Sequence, residues 1–292
     1  MKNSFKLKAL CAALAVSAAS AASASQIYLD IGTNYAAGTD KVCDTCTSLK
    51  DELTYKYQST TVITDMDGSG TITAGDAVST SIGLFGGNEL GFNQVTSLNP
   101  SQSFGVYADN GYGASKDWAL TFKGENLLGT VSSIAGGVPL LSYGAGGLLE
   151  MLLTFNGTTF NNFMDLVVSF GGATGLGTVL FGSPSFTAVD AGYNNLFHAG
   201  NGVSCNGLTG FKDLMACNPP PVITFEASQD TNVLISQFSS AGVDGQGRAR
   251  FSVSTNHDGS IVFNVPEPTT LFLMGGALLG LGLSSRRRAK QD

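Results

Sequence analysis

The sequence predicts an all-β protein: an antiparallel β-sandwich or jelly-roll-like body with few short helices, followed by one C-terminal transmembrane helix. Three observations lead there. The readable apolar segments of the body have period two or are short β-rich runs, and clusters of Gly, Asn and Pro separate them. Charged residues make up 13% of the chain, against about a quarter in ordinary globular proteins. Gly (38 of 292 residues), Ser, Thr and Asn take their place, a composition typical of exported β proteins with many turns. Near the C-terminus, Leu271 to Leu283 carries no charge and lies between a double proline and an arginine cluster.

The elements follow in order. Lys2, Lys6 and Lys8 precede an Ala/Leu/Val stretch from Ala9 to Ala22, and Ala22-Ser23-Ala24 forms an A-x-A cleavage site. These are the three parts of a secretory signal peptide over residues 1–24, which implies the Sec machinery and signal peptidase as partners and removes the segment, with Cys11, from fold reasoning. About 240 residues remain in the exported domain, 25–265, enough for one large all-β domain or two small ones. Strands are expected over Leu53–Ile63, Phe104–Ala108, Trp118–Phe122, Leu152–Phe155, Leu166–Phe170 and Val222–Phe225. The clearest hairpin is the last: Phe251, Val253 and Thr255 alternate with serines, Asn256-His257-Asp258-Gly259 supplies a turn, and Ile261, Phe263 and Val265 alternate on the return. Short helices are expected at Asn126–Ile134 and Leu208–Met215. No internal repeat of fixed period is present. With 18 Phe and 8 Tyr the body can build a core and does not read as disordered.

Between the two termini the body holds eight Lys and Arg and twenty Asp and Glu, a formal charge of −12. Such a surface repels nucleic acid and anionic membrane. It suits solubility, divalent cations and a polymer matrix.

The exported domain has four cysteines, Cys43, Cys46, Cys205 and Cys217. The number is even and the compartment oxidising, so disulfides are the default. Local pairing, Cys43–Cys46 and Cys205–Cys217, is favoured, with crossed pairing left open. A redox role for Cys43-Asp-Thr-Cys46 requires a βαβ setting and a helix at the first Cys, and neither is visible. Export and the wide second spacing argue against a zinc site.

One stretch of the body has metal-ligand spacing. Asp65-Met-Asp67-Gly-Ser69-Gly70-Thr71-Ile72-Thr73-Ala-Gly-Asp76 places oxygens at positions 1, 3 and 5 of a twelve-residue loop, Gly70 at the sharp turn, the Thr71 carbonyl at 7, Ile72 as a core anchor, Thr73 at 9 and Asp76 at 12. Alternate residues of a tight loop point inward, so their oxygens converge on one ion, here calcium in a structural role. Ser at position 5 and Asp at 12 depart from the EF-hand consensus, and the shorter Asp arm resembles the calcium loops of dockerin-like modules. Fewer negative ligands predict weak binding, about 10⁻⁴–10⁻³ M. The preceding segment reads as a strand, so no helix-loop-helix is expected. The plain alternative is an acidic, glycine-rich surface turn.

At the C-terminus, Pro266 and Pro268 fix φ and remove two backbone donors, so Val265-Pro266-Glu267-Pro268 is expected extended and exposed, where a protease can grip it. Leu271–Leu283 spans about 20 Å as a helix, and with the flanking Thr and Ser pairs (residues 269–285) about 25 Å. That is the short limit for a hydrocarbon core of about 30 Å. Arg286, Arg287, Arg288 and Lys290 follow directly and are expected to stay cytoplasmic, as a basic stop. This order of motif, apolar helix and basic run at 266–292 resembles the PEP-CTERM sorting signal of Gram-negative bacteria. The resemblance implies that an exosortase, a membrane-embedded cysteine protease, recognises Pro266-Glu267-Pro268. It implies an inner-membrane-anchored precursor, then release or transfer to the periplasm, cell surface or extracellular matrix. It covers about a tenth of the chain and leaves the body unassigned.

No enzyme is expected. The two histidines, His198 and His257, come with no partnered motif, and no G-x-S-x-G, H-E-x-x-H or phosphate loop occurs. The first expectation is a non-enzymatic surface or matrix protein associated with exopolysaccharide in biofilm or floc formation, a role that rests on the resemblance. A carbohydrate-binding module is the alternative, with Tyr107, Tyr112, Trp118 and Tyr193 as a stacking platform. A secreted hydrolase comes third and needs a histidine or a carboxylate pair in a pocket.

Overall fold

The strand Glu52–Thr64 shows how the sequence pattern becomes structure. Its thirteen residues alternate in burial along its length, with Leu53, Tyr55, Tyr57, Ser59, Thr61 and Ile63 facing inward. Successive strand side chains point to opposite faces, so the alternation read in the sequence becomes one apolar and hydroxyl-bearing inner face. The computed structural model describes residues 26–32, 42–83, 94–99, 112–113, 116–174, 177–200, 202–230 and 233–265. The expected signal peptide, the Phe104–Ala108 strand, Pro266–Pro268, the helix over 269–285 and Arg286–Arg288 lie outside these residues. Among the described residues no helix is long and apolar enough to cross a membrane.

In chain order the strands are β1 (Ile27–Leu29), β2 (Glu52–Thr64), β3 (Ala77–Ile82), β4 (Gln94–Asn99), β5 (Tyr112–Gly113), β6 (Lys116–Asp117), β7 (Ala119–Ala135), β8 (Val138–Tyr143), β9 (Leu148–Thr154), β10 (Asn161–Thr174), β11 (Gly177–Ser185), β12 (Phe197–Ala199), β13 (Thr224–Gln229), β14 (Ser239–Val243) and β15 (Ala249–Asn264). A five-residue helix α1 (Phe211–Met215) and a 3₁₀ turn at Ile235–Gln237 complete the described elements. The fold is thus mostly β, with every strand pair antiparallel and almost no helix.

The pairings close into a ring. β15 pairs with β13 and with β2. β2 pairs with β3, which pairs with β7. β7 passes to β9 through its first half and to β8 through its second, and both reach β10. β10 pairs with β11, and β11 returns to β13. The long strands make closure possible, because each is shared by two shorter partners along one edge. Closure satisfies backbone groups that an open sheet leaves exposed. β14 and β4 sit beside this ring as short flaps on β15 and β2.

Three expectations fail here. Asn256-His257-Asp258-Gly259 does not turn. β15 runs straight through it, with Asn256 opposite Gln58, His257 opposite Tyr57, Asp258 opposite Lys56 and Gly259 opposite Tyr55. A continuous partner strand overrides the local turn preference. Asn126–Ile134 is not a helix but the second half of β7, paired with β3 and β8. Asn126 sits at φ 57°, a conformation that Asn tolerates better than most residues. Val265 is buried rather than exposed, because it continues the inward alternation of Ile261 and Phe263. The helix expected over Leu208–Met215 forms only at Phe211–Met215.

A small cap docks on the ring. β1 pairs with β12, and Ile27 exchanges backbone hydrogen bonds with Lys50. Phe197 of β12 and Phe211 of α1 join Phe263 of β15 in an edge-to-face cluster with 5.4–5.9 Å between ring centroids, and Phe163 stacks on Phe197. The disulfides are local, Cys43–Cys46 and Cys205–Cys217. Both lie in this cap.

Candidate functional site

Residues 65–76 connect β2 to β3, with a strand on each side and no helix. The loop is pinned by backbone bonds at its ends: Asp65 N–H donates to the Ala249 carbonyl, Gly75 N–H to Val131, and Val131 N–H to Asp76. Ile72 is buried in the core below it.

Asp65, Asp67 and Asp76 each place a carboxylate oxygen within 4.8 Å of the others. Asp65 and Asp76 are buried, while Asp67 is exposed. Asp65 accepts N–H bonds from Gly68 (2.8 Å), Ser69 (3.2 Å) and Gly70 (2.7 Å). Asp76 accepts from Met66 N–H (2.9 Å) and Thr73 N–H (2.7 Å). Asp67 accepts from Ser69 N–H (2.9 Å) and the Thr73 hydroxyl (3.0 Å). These bonds, that from the Ser69 backbone first, hold the Asp67 carboxyl down to about 2. The Ser69 hydroxyl donates to the Thr71 carbonyl at 3.0 Å. Gly70 takes φ 74°, which a side chain at that turn would strain. Three anionic oxygens, two hydroxyls and a carbonyl are thus concentrated in one loop, the donor chemistry of a hard divalent cation.

Sequence reasoning missed the neighbour of this loop. The Asp244–Arg248 turn between β14 and β15 packs beside it, with Arg248 Nη1 at 3.2 Å from the Met66 sulfur. Arg248 also bonds Asp244, through its backbone first, and draws that carboxyl down to about 2.

The proposed aromatic platform does not assemble from the described residues. Trp118 is buried in the core, Tyr193 leans on Phe155 half-buried, and Tyr107 and the Tyr112 side chain lie outside the description. A different aromatic reaches the surface: Phe170, 57% exposed on β10, stacks on the half-buried Phe181 of β11 at 4.9 Å. Of the two histidines, His198 stacks on Tyr28 and bonds the Thr209 hydroxyl. His257 instead reaches a cavity, lined also by Ser59, Thr61 and Tyr143.

β15 ends at Asn264, Val265 closes the core, and the proline segment begins at the next residue. Residues 264–288 match a model of the PEP-CTERM protein-sorting motif. The match spans the clasp, the apolar run and the three arginines. A PEP-CTERM motif identifies the chain as an exported protein with an exosortase as processing partner and a membrane-anchored precursor. It covers the tail alone. No curated protein and no solved structure matches the chain.

Proposed function

We propose that this is an exosortase-processed protein of the cell surface or extracellular matrix whose body associates with exopolysaccharide and contributes to biofilm or floc cohesion. The observation that carries the reading is the PEP-CTERM match starting where the last core strand stops. Processing at Pro266–Pro268 therefore leaves β15 and its partners untouched. The body's charge of −12 favours polymer contact bridged by divalent cations over contact with anionic membrane. Calcium is the proposed ion of the 65–76 loop, held by Asp65, Asp67, Asp76 and oxygens of Ser69, Thr71 and Thr73, in a structural role. Association of this kind requires no turnover.

A carbohydrate-binding face is the second reading, and the exposed Phe170, stacked on the half-buried Phe181, favours it over the residues first considered. An aromatic face offers a large apolar contact, and an exposed apolar patch marks an interaction site.

The test is intact mass of the protein recovered from its host with and without the exosortase, joined to co-sedimentation with the host's purified exopolysaccharide. Loss of residues 1–24 and of the segment after about Val265, with the processed body in the polymer pellet, is the expected result. A body that still carries Arg286–Arg288 beside active exosortase overturns the sorting step. A processed body that stays in the supernatant overturns the polymer role.

A further inference from the structure

The part of the ring interior nearest His257 sets the hydroxyls of Ser59, Thr61, Thr80 and Thr255 among apolar side chains such as Leu141, Val253 and Phe238. Ser59 and His257 meet there from neighbouring strands, with Ser59 Oγ 2.9 Å from His257 Nε2. On the other side of the ring, His257 Nδ1 lies 2.5 Å from the Asp230 carbonyl oxygen. A carbonyl only accepts, so Nδ1 carries the proton and Nε2 presents its lone pair to the hydroxyl. Tyr57 stacks on the imidazole at 4.9 Å and fixes its plane, while the Tyr57 hydroxyl donates to Gln229 Oε1. The three parts of an activated nucleophile are present: a hydroxyl, a base in hydrogen-bond reach, and a group that orients the base.

We propose that Ser59 is a nucleophile activated by His257, and that it takes the acyl group of small acetyl esters. Both side chains line a cavity of about 30 Å³ whose rim includes the half-buried Val233 and Phe238. At 10–15 Å³ per water this is room for about two waters, the size of an acetyl group and not of a longer acyl chain. Ser59 itself is only 3% exposed, which restricts it further to small electrophiles. No Asp, Glu, Lys or Arg lines the cavity, so the acyl group it takes is neutral. In the first step Ser59 Oγ bonds the acetyl carbonyl carbon and its proton passes to His257 Nε2. The carbon–oxygen bond to the alcohol then breaks, and the alcohol leaves with that proton. Water, activated by the same imidazole, returns Ser59 and releases acetate. Thr255 Oγ1 lies 2.6 Å from the same Nε2 and competes for the lone pair. Ser59, as the less hindered primary hydroxyl, is the one assigned. Burial pushes the imidazole below its ordinary value and so favours the neutral base, against the opposing pull of the Asp230 carbonyl and of the Asp230 and Asp258 charges. The Tyr57 phenol, pushed well above its ordinary range by burial, stays protonated throughout. This inference does not depend on the matrix reading, which needs no chemistry.

The experiment treats the protein purified from its host with methanesulfonyl fluoride and, separately, with p-nitrophenyl acetate and p-nitrophenyl hexanoate, and maps the adduct by peptide mass spectrometry. The expected result is one adduct, on Ser59, with acetate turned over at least tenfold faster than hexanoate. The labelling rate is expected to rise to half its maximum at a pH below about 6.5, the ordinary histidine value. Ser59→Ala abolishes the adduct, and His257→Asn slows labelling about a hundredfold or more, the usual contribution of a general base. Thr255→Val retains it. No adduct on the native protein, an adduct on Thr255 or elsewhere, or equal rates for the two esters overturns the proposal. These three readouts use the unaltered chain, so a variant that fails to fold leaves the test intact.

Discussion

Replacing Asp65 by Asn tests the loop most directly, because the change is nearly isosteric and its cost follows from known bonds. Asp65 Oδ1 accepts from Gly68 and Ser69, and Oδ2 from Gly70. Asn keeps one oxygen for the first two donors, but its NH₂ then faces the Gly70 N–H, donor against donor. A hydrogen bond to a charged group is worth about 1.5–3 kcal/mol and a neutral one about 0.5–1.5. Losing one and weakening two costs about 2–3 kcal/mol with no ion present, after allowing for water at the exposed Gly68–Gly70 edge. With calcium at ten times a Kd of about 10⁻³ M, wild type gains about 1.4 kcal/mol. For a domain of this size that raises Tm by about 3–6 °C. Melting followed by circular dichroism, in chelator and then in 10-fold-Kd calcium or magnesium, reads both effects. Wild type is expected to rise in calcium and little in magnesium, whereas Asp65→Asn melts lower and gains nothing. A wild-type Tm indifferent to calcium, or a variant that gains as much as wild type, would refute a cation site and leave the loop a hydrogen-bonded turn.

Other expectations rest on separate features. Phe263→Ala empties the centre of the Phe197–Phe211–Phe263 cluster, and a loss of about 3–5 kcal/mol in urea titrations is expected. A Cβ at Gly182 meets the Val167 carbonyl oxygen at 1.9 Å, so Gly182→Ala is expected to lower the unfolding free energy read from urea titration by about 1–3 kcal/mol or more through overpacking. His198 and His257 are both pushed down by burial, so the unfolded chain takes up protons first. Their contribution is complete above about pH 6.5 and is lost as pH falls through their lowered values. Urea midpoints are therefore expected to drop between pH 7.5 and 5, and His198→Asn with His257→Asn to flatten that drop. Asp67 and Asp244, held to about 2, stay ionised across that window, and Asp165, pushed up by burial, acts in the opposite sense. Glu267→Ala is expected to leave unprocessed precursor in the inner-membrane fraction, read by immunoblot.

What the sequence reveals is what is local. β2 is legible because its period-two pattern is written within thirteen residues. The 65–76 spacing is legible because alternation in one short loop decides which oxygens meet. The cap disulfides join cysteines close in sequence, where loop closure is easy. The ring is not legible. It depends on Leu53 finding Ile261 and Tyr57 finding His257, pairings that no local pattern encodes. The same pairing converts Asn256–Gly259 from a textual turn into mid-strand, since twelve paired residues of template outweigh four residues of preference. Ser59 and His257 escaped for the same reason, being 198 positions apart. The only trace was a run of hydroxyls at inward positions 59 and 61, where an ordinary core strand carries alkyl groups.

The position of β15 has a mechanical consequence. A body fastened to a polymer through the residue that follows its core is pulled from Val265 along the axis of β15. That strand lies between β2 on one edge and β13 with β14 on the other. Antiparallel hydrogen bonds run perpendicular to the strands, so tension along β15 shears the whole ladder at once instead of peeling it one bond at a time. A tether at this end therefore meets its greatest resistance at the first step, and the domain carries load as a rigid link rather than as an unravelling thread.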